Sequence, residues 1–127
     1  MQDHEQIRLL VVDDSAAIRN SIRRLFSQST DITVSGEAAN GNEAVELLHA
    51  NTFDLVLLDI TMPDRDGLHV LGDIKREWPD LPVIMLSIHP PDQYKARALT
   101  LGAVGYITKE RAADELASEI RKTVQIP

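Results

Sequence analysis

Asp13 and Asp14 close the apolar run Leu9-Leu10-Val11-Val12, and Asp59 closes a second run, Leu55-Val56-Leu57-Leu58. An open α/β sheet carries its chemistry in the crevice beyond the carboxyl ends of its strands. Three carboxylates at two such ends therefore face one edge. Two unit charges about 4 Å apart repel by roughly 1 kcal/mol in water and roughly 4 kcal/mol at the effective dielectric of a protein edge. A fold that converges three of them calls for a cation, and the cluster reads as a magnesium and phosphate site. Two further strand ends add a hydroxyl, Ser87 after Val83-Ile84-Met85-Leu86, and an ammonium, Lys109 after Val104 to Thr108.

The elements that must hold these groups alternate short β-branched runs with amphipathic stretches, the pattern of a parallel sheet covered by helices on both faces. Ile7 to Val12 reads as the first strand, and Ser15 as the N-cap of a helix whose Ile18, Ile22, Leu25 and Phe26 recur at helical spacing, with Arg19, Arg23 and Arg24 on its wet side. Ile32 to Ala38 is the second strand, followed by a turn at Asn40-Gly41-Asn42 and a helix burying Ala44, Val45 and Leu48. Phe53 to Leu58 is the third. The loop from Thr61 to Gly67 then leads to a helix that buries Leu71, Ile74 and Trp78 and stops at Pro79. Val83 to Leu86 is the fourth strand, Pro90-Pro91 opens a helix that Gly102 closes, Val104 to Ile107 is the fifth strand, and Leu116, Ile120 and Val124 line the last helix. Right-handed crossovers put Asp13, Asp14, Asp59, Ser87 and Lys109 on the same edge.

With 127 residues, 43% of them hydrophobic, the sequence is expected to form one domain, 1–127, around a two-sided core. It has no cysteine, which excludes disulfides and thiolate metal sites, and Met1-Gln2-Asp3-His4-Glu5 carries no basic and apolar leader pattern. The apolar runs fall far short of the ~20 residues a membrane helix needs, so a cytoplasmic location with no membrane partner is expected. A formal charge of −7 argues against direct contact with DNA, RNA or anionic lipid, which need a basic face.

The chain resembles the receiver domain of two-component response regulators through Val11-Val12-Asp13-Asp14-Ser15, through Asp59-Ile60-Thr61-Met62-Pro63-Asp64-Arg65-Asp66-Gly67, through Ser87, and through Gly102-Ala103-Val104-Gly105-Tyr106-Ile107-Thr108-Lys109. Each piece alone is weak, but in this order they are jointly specific, and together they span nearly the whole length. The resemblance implies a flavodoxin-like, doubly wound sheet of five parallel strands in the order 2-1-3-4-5 with five helices. It implies that Asp59 is a nucleophile that becomes an aspartyl phosphate. Mg2+ (or Mn2+) would be ligated by Asp14, Asp59 and the Thr61 backbone carbonyl, with Asp13 acting through a water, a set that suits a hard cation keeping several waters. Lys109 and Ser87 would stabilise phosphoryl oxygens. Tyr106 would change rotamer as Ser87 moves, and Thr61 and His89 would border the phosphoryl group and set its hydrolysis rate.

The implied phosphodonor is a sensor histidine kinase, and the implied output is a surface over Pro90 to Gly102, Val104 to Ile107 and Ala112 to Thr123, with homodimerisation on phosphorylation as one readout. The resemblance implies no enzymatic activity beyond self-catalysed phosphoryl transfer and autodephosphorylation. Glu110 replaces a proline common in the family, so a cis bond is not expected there; the NarL/FixJ type, which carries a helix-turn-helix output, often shares this departure. DNA would then be contacted only through a C-terminal domain beyond these residues. Ile88 stands where a small residue is common, and its bulk is expected to slow access to the phosphoryl group. Comparing aspartyl-phosphate lifetimes of wild type and Ile88→Ala tests this, and equal lifetimes would remove the idea.

Taken singly, the same residues have plainer roles. Asp13 or Asp14 would cap a helix, Ser87 would be a strand-end hydroxyl, and Lys109 would be a solvated cation placed where a helix dipole slightly disfavours it. Asp66 is expected to cap the helix after Gly67, Asp64 to be solvated, and the scattered His4, His49, His69 and His89 to form no metal site. Four other functions compete. A stand-alone receiver or a phosphorylation-independent docking module would share every motif. A magnesium-dependent phosphatase would want Asp-x-Asp where Asp13-Asp14-Ser15 stands, and a flavodoxin-like nucleotide binder would want an anion loop where this chain has acids.

Overall fold

The computed structural model describes residues 6–124; His4, with the rest of residues 1–5, and residues 125–127 lie outside the described residues. Five strands, β1 (Ile7–Val12), β2 (Ile32–Ala38), β3 (Leu55–Asp59), β4 (Val83–Ser87) and β5 (Gly105–Thr108), form one sheet in the order β2-β1-β3-β4-β5. All four strand pairs are parallel. The crossover helices are α1 (Ala16–Leu25), α2 (Gly41–Ala50), α3 (Gly67–Glu77) and α4 (Pro91–Thr100), and α5 (Ala112–Thr123) follows a short 3-10 turn at Lys109–Arg111. This is the order expected of the resemblance.

The apolar strand runs are explained by burial on both faces. Alternate residues of a strand point to opposite sides, so Leu10, Val12, Val56, Leu58, Val83 and Met85 pack with Leu48, Leu71, Ile74 and Ala98 of α2, α3 and α4. Leu9, Val11, Leu55, Leu57, Ile84 and Leu86 pack on the other side with Ile22 and Phe26 at α1 and with Leu116 and Ile120 of α5. A strand sandwiched this way cannot alternate polar and apolar residues. Its first polar residue therefore marks the sheet edge, which is why Asp13 and Asp59 were legible as strand ends.

Capping fixes where the helices begin. Ser15, Asn40 and Asp66 accept from Ile18 N, Glu43 N and His69 N, each three residues on, at the starts of α1, α2 and α3. At the end of α4, Gly102 has φ 109°, its N–H donates to Leu99 O, and Ala103 N–H donates to Ala98 O. These paired bonds around a left-handed glycine stop the helix and turn the chain into β5. Three core expectations are corrected. Leu25 is exposed because α1 buries Ile22 and Phe26 instead, Val45 is half-buried on α2, and Trp78 is a half-buried cap residue outside α3, since the residue before Pro79 is disfavoured from helix. The third strand starts at Leu55 and not at Phe53, and the third and fourth strands each end one residue later than read, taking in Asp59 and Ser87.

Candidate functional site

The β1–β2 ladder continues one step past β1, where Asp13 N–H donates to Ala38 O at 3.0 Å. That bond carries Asp13 to the lip of the sheet, 1% exposed, beside Asp59 at 4%. Asp14, one residue on, is exposed. One oxygen of each of Asp13, Asp14 and Asp59 lies within 4.8 Å of the others. Lys109 Nζ reaches into this group from the end of β5, 2.8 Å from Asp13 Oδ2 and 3.4 Å from Asp59 Oδ1. Its awkward place at a helix start is thus explained by two anionic partners.

The charges do not balance. Burial pushes the Asp59 carboxyl up to about 6, Asp13 adds to the push, and Lys109 and the Thr61 amide offset only part of it. Burial alone would favour a neutral Lys109, but its hydrogen bond to Asp13 and the charges of Asp59 and Asp13 outweigh that and hold its pKa above the ordinary value. Three carboxylates against one ammonium leave two negative charges, the charge a divalent cation cancels. Asp13 Oδ1 accepts from Ser15 N–H at 2.9 Å. Its Oδ2 is buried and faces the Lys109 ammonium at 2.8 Å. Three carboxylates with a single cationic partner among them fit an oxygen-seeking Mg2+.

The loop after β3 is held tightly against the nucleophile candidate. A Cβ on Gly67 would lie 1.9 Å from Asp59 O and 2.7 Å from Ile60 Cα, and Gly67 N–H donates to Ile60 O. Only a residue without a side chain lets α3 start this close to Asp59. On the neighbouring strand Leu86 pairs with Asp59, so Ser87 stands one step nearer the edge. Ser87 is fully buried, and its Oγ accepts from His89 N–H at 3.0 Å. Tyr106 is buried too, its hydroxyl donating to His89 O at 2.9 Å. The His89 ring shares a 3.1 Å hydrogen bond with Thr61 Oγ1 and meets Tyr94 edge-on at 5.0 Å.

The response regulator receiver domain model matches residues 9–121. This chain belongs to the response regulator receiver domain family. It is 39% identical to the response regulator UvrY of Escherichia coli O6:H1 over 91% of the chain and 53% of UvrY. The signal receiver domain of NarL from Mycobacterium tuberculosis is 32% identical, with a TM-score of 0.83 over 93% of this chain and 95% of that one. The response regulator TrrA of Thermotoga maritima, solved in complex with Mg2+-BeF, is 31% identical, with a TM-score of 0.82 over 92% of this chain and 98% of that one. These relatives agree with a receiver of the NarL/FixJ type. The chain spans about half the length of the curated relatives it matches, and no helix among its described residues is long and apolar enough to cross a membrane.

In this receiver the predicted residues fall into two adjoining groups. Asp13, Asp14, Asp59 and Lys109 form the ionic one; Thr61, Ser87, His89 and Tyr106 form a hydrogen-bonded one centred on His89. Asp66 caps α3 as expected. Asp64 is exposed as expected, and its Oδ1 also accepts from Arg65 N–H and, at 3.4 Å, from Gly41 N–H at the start of α2. One reading is corrected. Arg19 is not on a wet face: it donates to the Asp13 carbonyl at 2.6 Å and to Glu37 at 3.2 Å. An arginine aimed at a backbone carbonyl leaves no signature in helical periodicity, because the acceptor is not a side chain.

Proposed function

We propose that this receiver takes a phosphoryl group onto Asp59 from a sensor histidine kinase, and that the phosphate switches the surface around α4, β5 and α5. The observation that carries the reading is the excess of two negative charges at Asp13, Asp14, Asp59 and Lys109, with one oxygen of each acid within 4.8 Å of the others. Asp14, Asp59 and the Thr61 carbonyl would hold Mg2+, with Asp13 acting through a water. Bound there, the ion would neutralise the acids and draw charge from phosphoryl oxygens.

The chain's own residues do the rest. Asp59, raised only to about 6, is mostly ionised at pH 7 and supplies the attacking oxygen. A bond forms between that oxygen and phosphorus while the bond to the donor's imidazole nitrogen breaks, and the donor keeps that electron pair. Lys109 already spans Asp13 and Asp59, so its ammonium can follow the new charge onto a phosphoryl oxygen. Ser87, now occupied as an acceptor for His89 N–H, has a hydroxyl proton to offer a second oxygen. Drawing Ser87 inward pulls on the His89 backbone that receives Tyr106, so loop and ring move together and bias one packing of α4. Thr61 and His89, hydrogen-bonded to each other, would set the lifetime of the phosphate. Dimerisation on phosphorylation and a DNA-binding output in the half of the relatives that this chain does not span complete the reading.

Incubation with acetyl phosphate, with and without Mg2+, followed by intact mass measurement, tests it. A single phosphate adduct that needs Mg2+ and vanishes in Asp59→Ala is expected. A folded, Mg2+-binding wild type that gains no adduct would make the chain a docking module instead.

A further inference from the structure

The peptide between Asp13 and Asp14 is held from several sides. Asp13 N–H is bound to Ala38 O, and the Asp13 carboxylate is bound to Ser15 N–H. The Asp13 carbonyl receives Arg19 Nη1 at 2.6 Å. That carbonyl and the N–H of Asp14 share one rigid plane, so fixing the oxygen fixes the plane from which the Asp14 side chain springs. Arg19 itself is braced: its Nε donates to Glu37 Oε1 at 3.2 Å, and Glu37 Oε2 receives Arg23 Nε at 2.8 Å. Glu37 precedes Ala38, whose carbonyl holds Asp13 N–H, so strut and ladder spring from adjacent residues of β2. The Arg19 and Glu37 side chains are 19% and 23% exposed, shielded enough for a defined geometry.

We infer that Arg19, braced by Glu37, is a positioning residue that aims the Asp14 carboxylate at the metal. The inference rests on the reading of the acids as a Mg2+ site. It concerns geometry, and charge alone predicts the opposite sign. A guanidinium near the acids repels a dication, so its removal should tighten Mg2+ binding by Coulomb's law. If its task is to hold the Asp13 carbonyl, its removal frees the peptide plane and weakens binding. Residues behind metal ligands typically alter metal affinity by about 10- to 100-fold.

The test follows the shift of the thermal unfolding midpoint with Mg2+ concentration, each protein measured against its own metal-free midpoint, so that a general loss of stability drops out. Arg19→Gln is expected to bind Mg2+ about 10-fold more weakly than wild type, at the lower end of that range. Arg19→Lys, which keeps the charge but loses the fork that reaches carbonyl and carboxylate together, is expected to be weakened as well, and it carries the test should Arg19→Gln not fold. Equal or tighter binding in the folded variants overturns the positioning role while leaving the metal site intact. A wild type whose midpoint ignores Mg2+ overturns the metal reading and this inference with it.

Discussion

Gly67→Ala is expected to unfold about 10 °C below wild type, a loss near 3 kcal/mol and the upper end of the usual range for overpacking. The added methyl would occupy a point 1.9 Å from Asp59 O, a backbone atom of a central strand that cannot swing aside as a side-chain tip would. Either α3 retreats from β3 or the end of β3 bends, and both move Asp59 and the Thr61 loop. The phosphate adduct should therefore fall together with stability. Gly72 is the control within the same helix. A Cβ there meets nothing within 4 Å, so Gly72→Ala should gain about 0.5–1 kcal/mol from better helix propensity and a less flexible unfolded chain. Thermal unfolding by circular dichroism separates the two, and a Gly67→Ala midpoint equal to wild type would mean that the loop yields freely.

That contrast also shows what the sequence could reveal. Gly67 and Gly72 are the same letter, and Gly67 read as the end of a loop and of the motif that starts at Asp59; its closeness to Asp59 O depends on where α3 docks, which no local pattern encodes. The sheet was legible because strands buried on both faces leave long apolar runs, and Asp13 and Asp59 stood out against them. Lys109 was legible through a misfit, a cation at a helix start, which the structure resolves by pairing it with Asp13 and Asp59. Arg19, by contrast, lies on a helix with Arg23 and Arg24 near it, and periodicity put all three in solvent. Its acceptor is the Asp13 carbonyl, and its brace, Glu37, lies on a strand far along the chain. Contacts of side chains with distant backbone are the part of a site that sequence pattern leaves out.

The second large effect concerns charge at Asp59. Without metal, Asp59→Asn is expected to be more stable than wild type at neutral pH by about 3 kcal/mol, and the gap should close toward pH 4. The folded chain raises the Asp59 pKa from 3.8 to about 6, chiefly by burial and then by Asp13. Between those values the folded state binds more protons than the unfolded one. Stability contributed by this group is therefore complete below about pH 4 and is lost as the pH rises through 6, the reverse of a salt-bridged carboxylate. Asn removes the ionisation and with it the loss. Mg2+ should narrow the gap from the other side by stabilising wild type, since a cation among Asp13, Asp14 and Asp59 relieves the same repulsion. Denaturant unfolding at pH 4 and pH 7.5, with and without Mg2+, measures this; a gap unchanged by pH would place its origin in packing. If it moves as expected, the strain that the fold tolerates at Asp59 is the same free energy that makes the site responsive. A chain already pressed to neutralise that carboxylate gains most when a cation and a phosphoryl group arrive together.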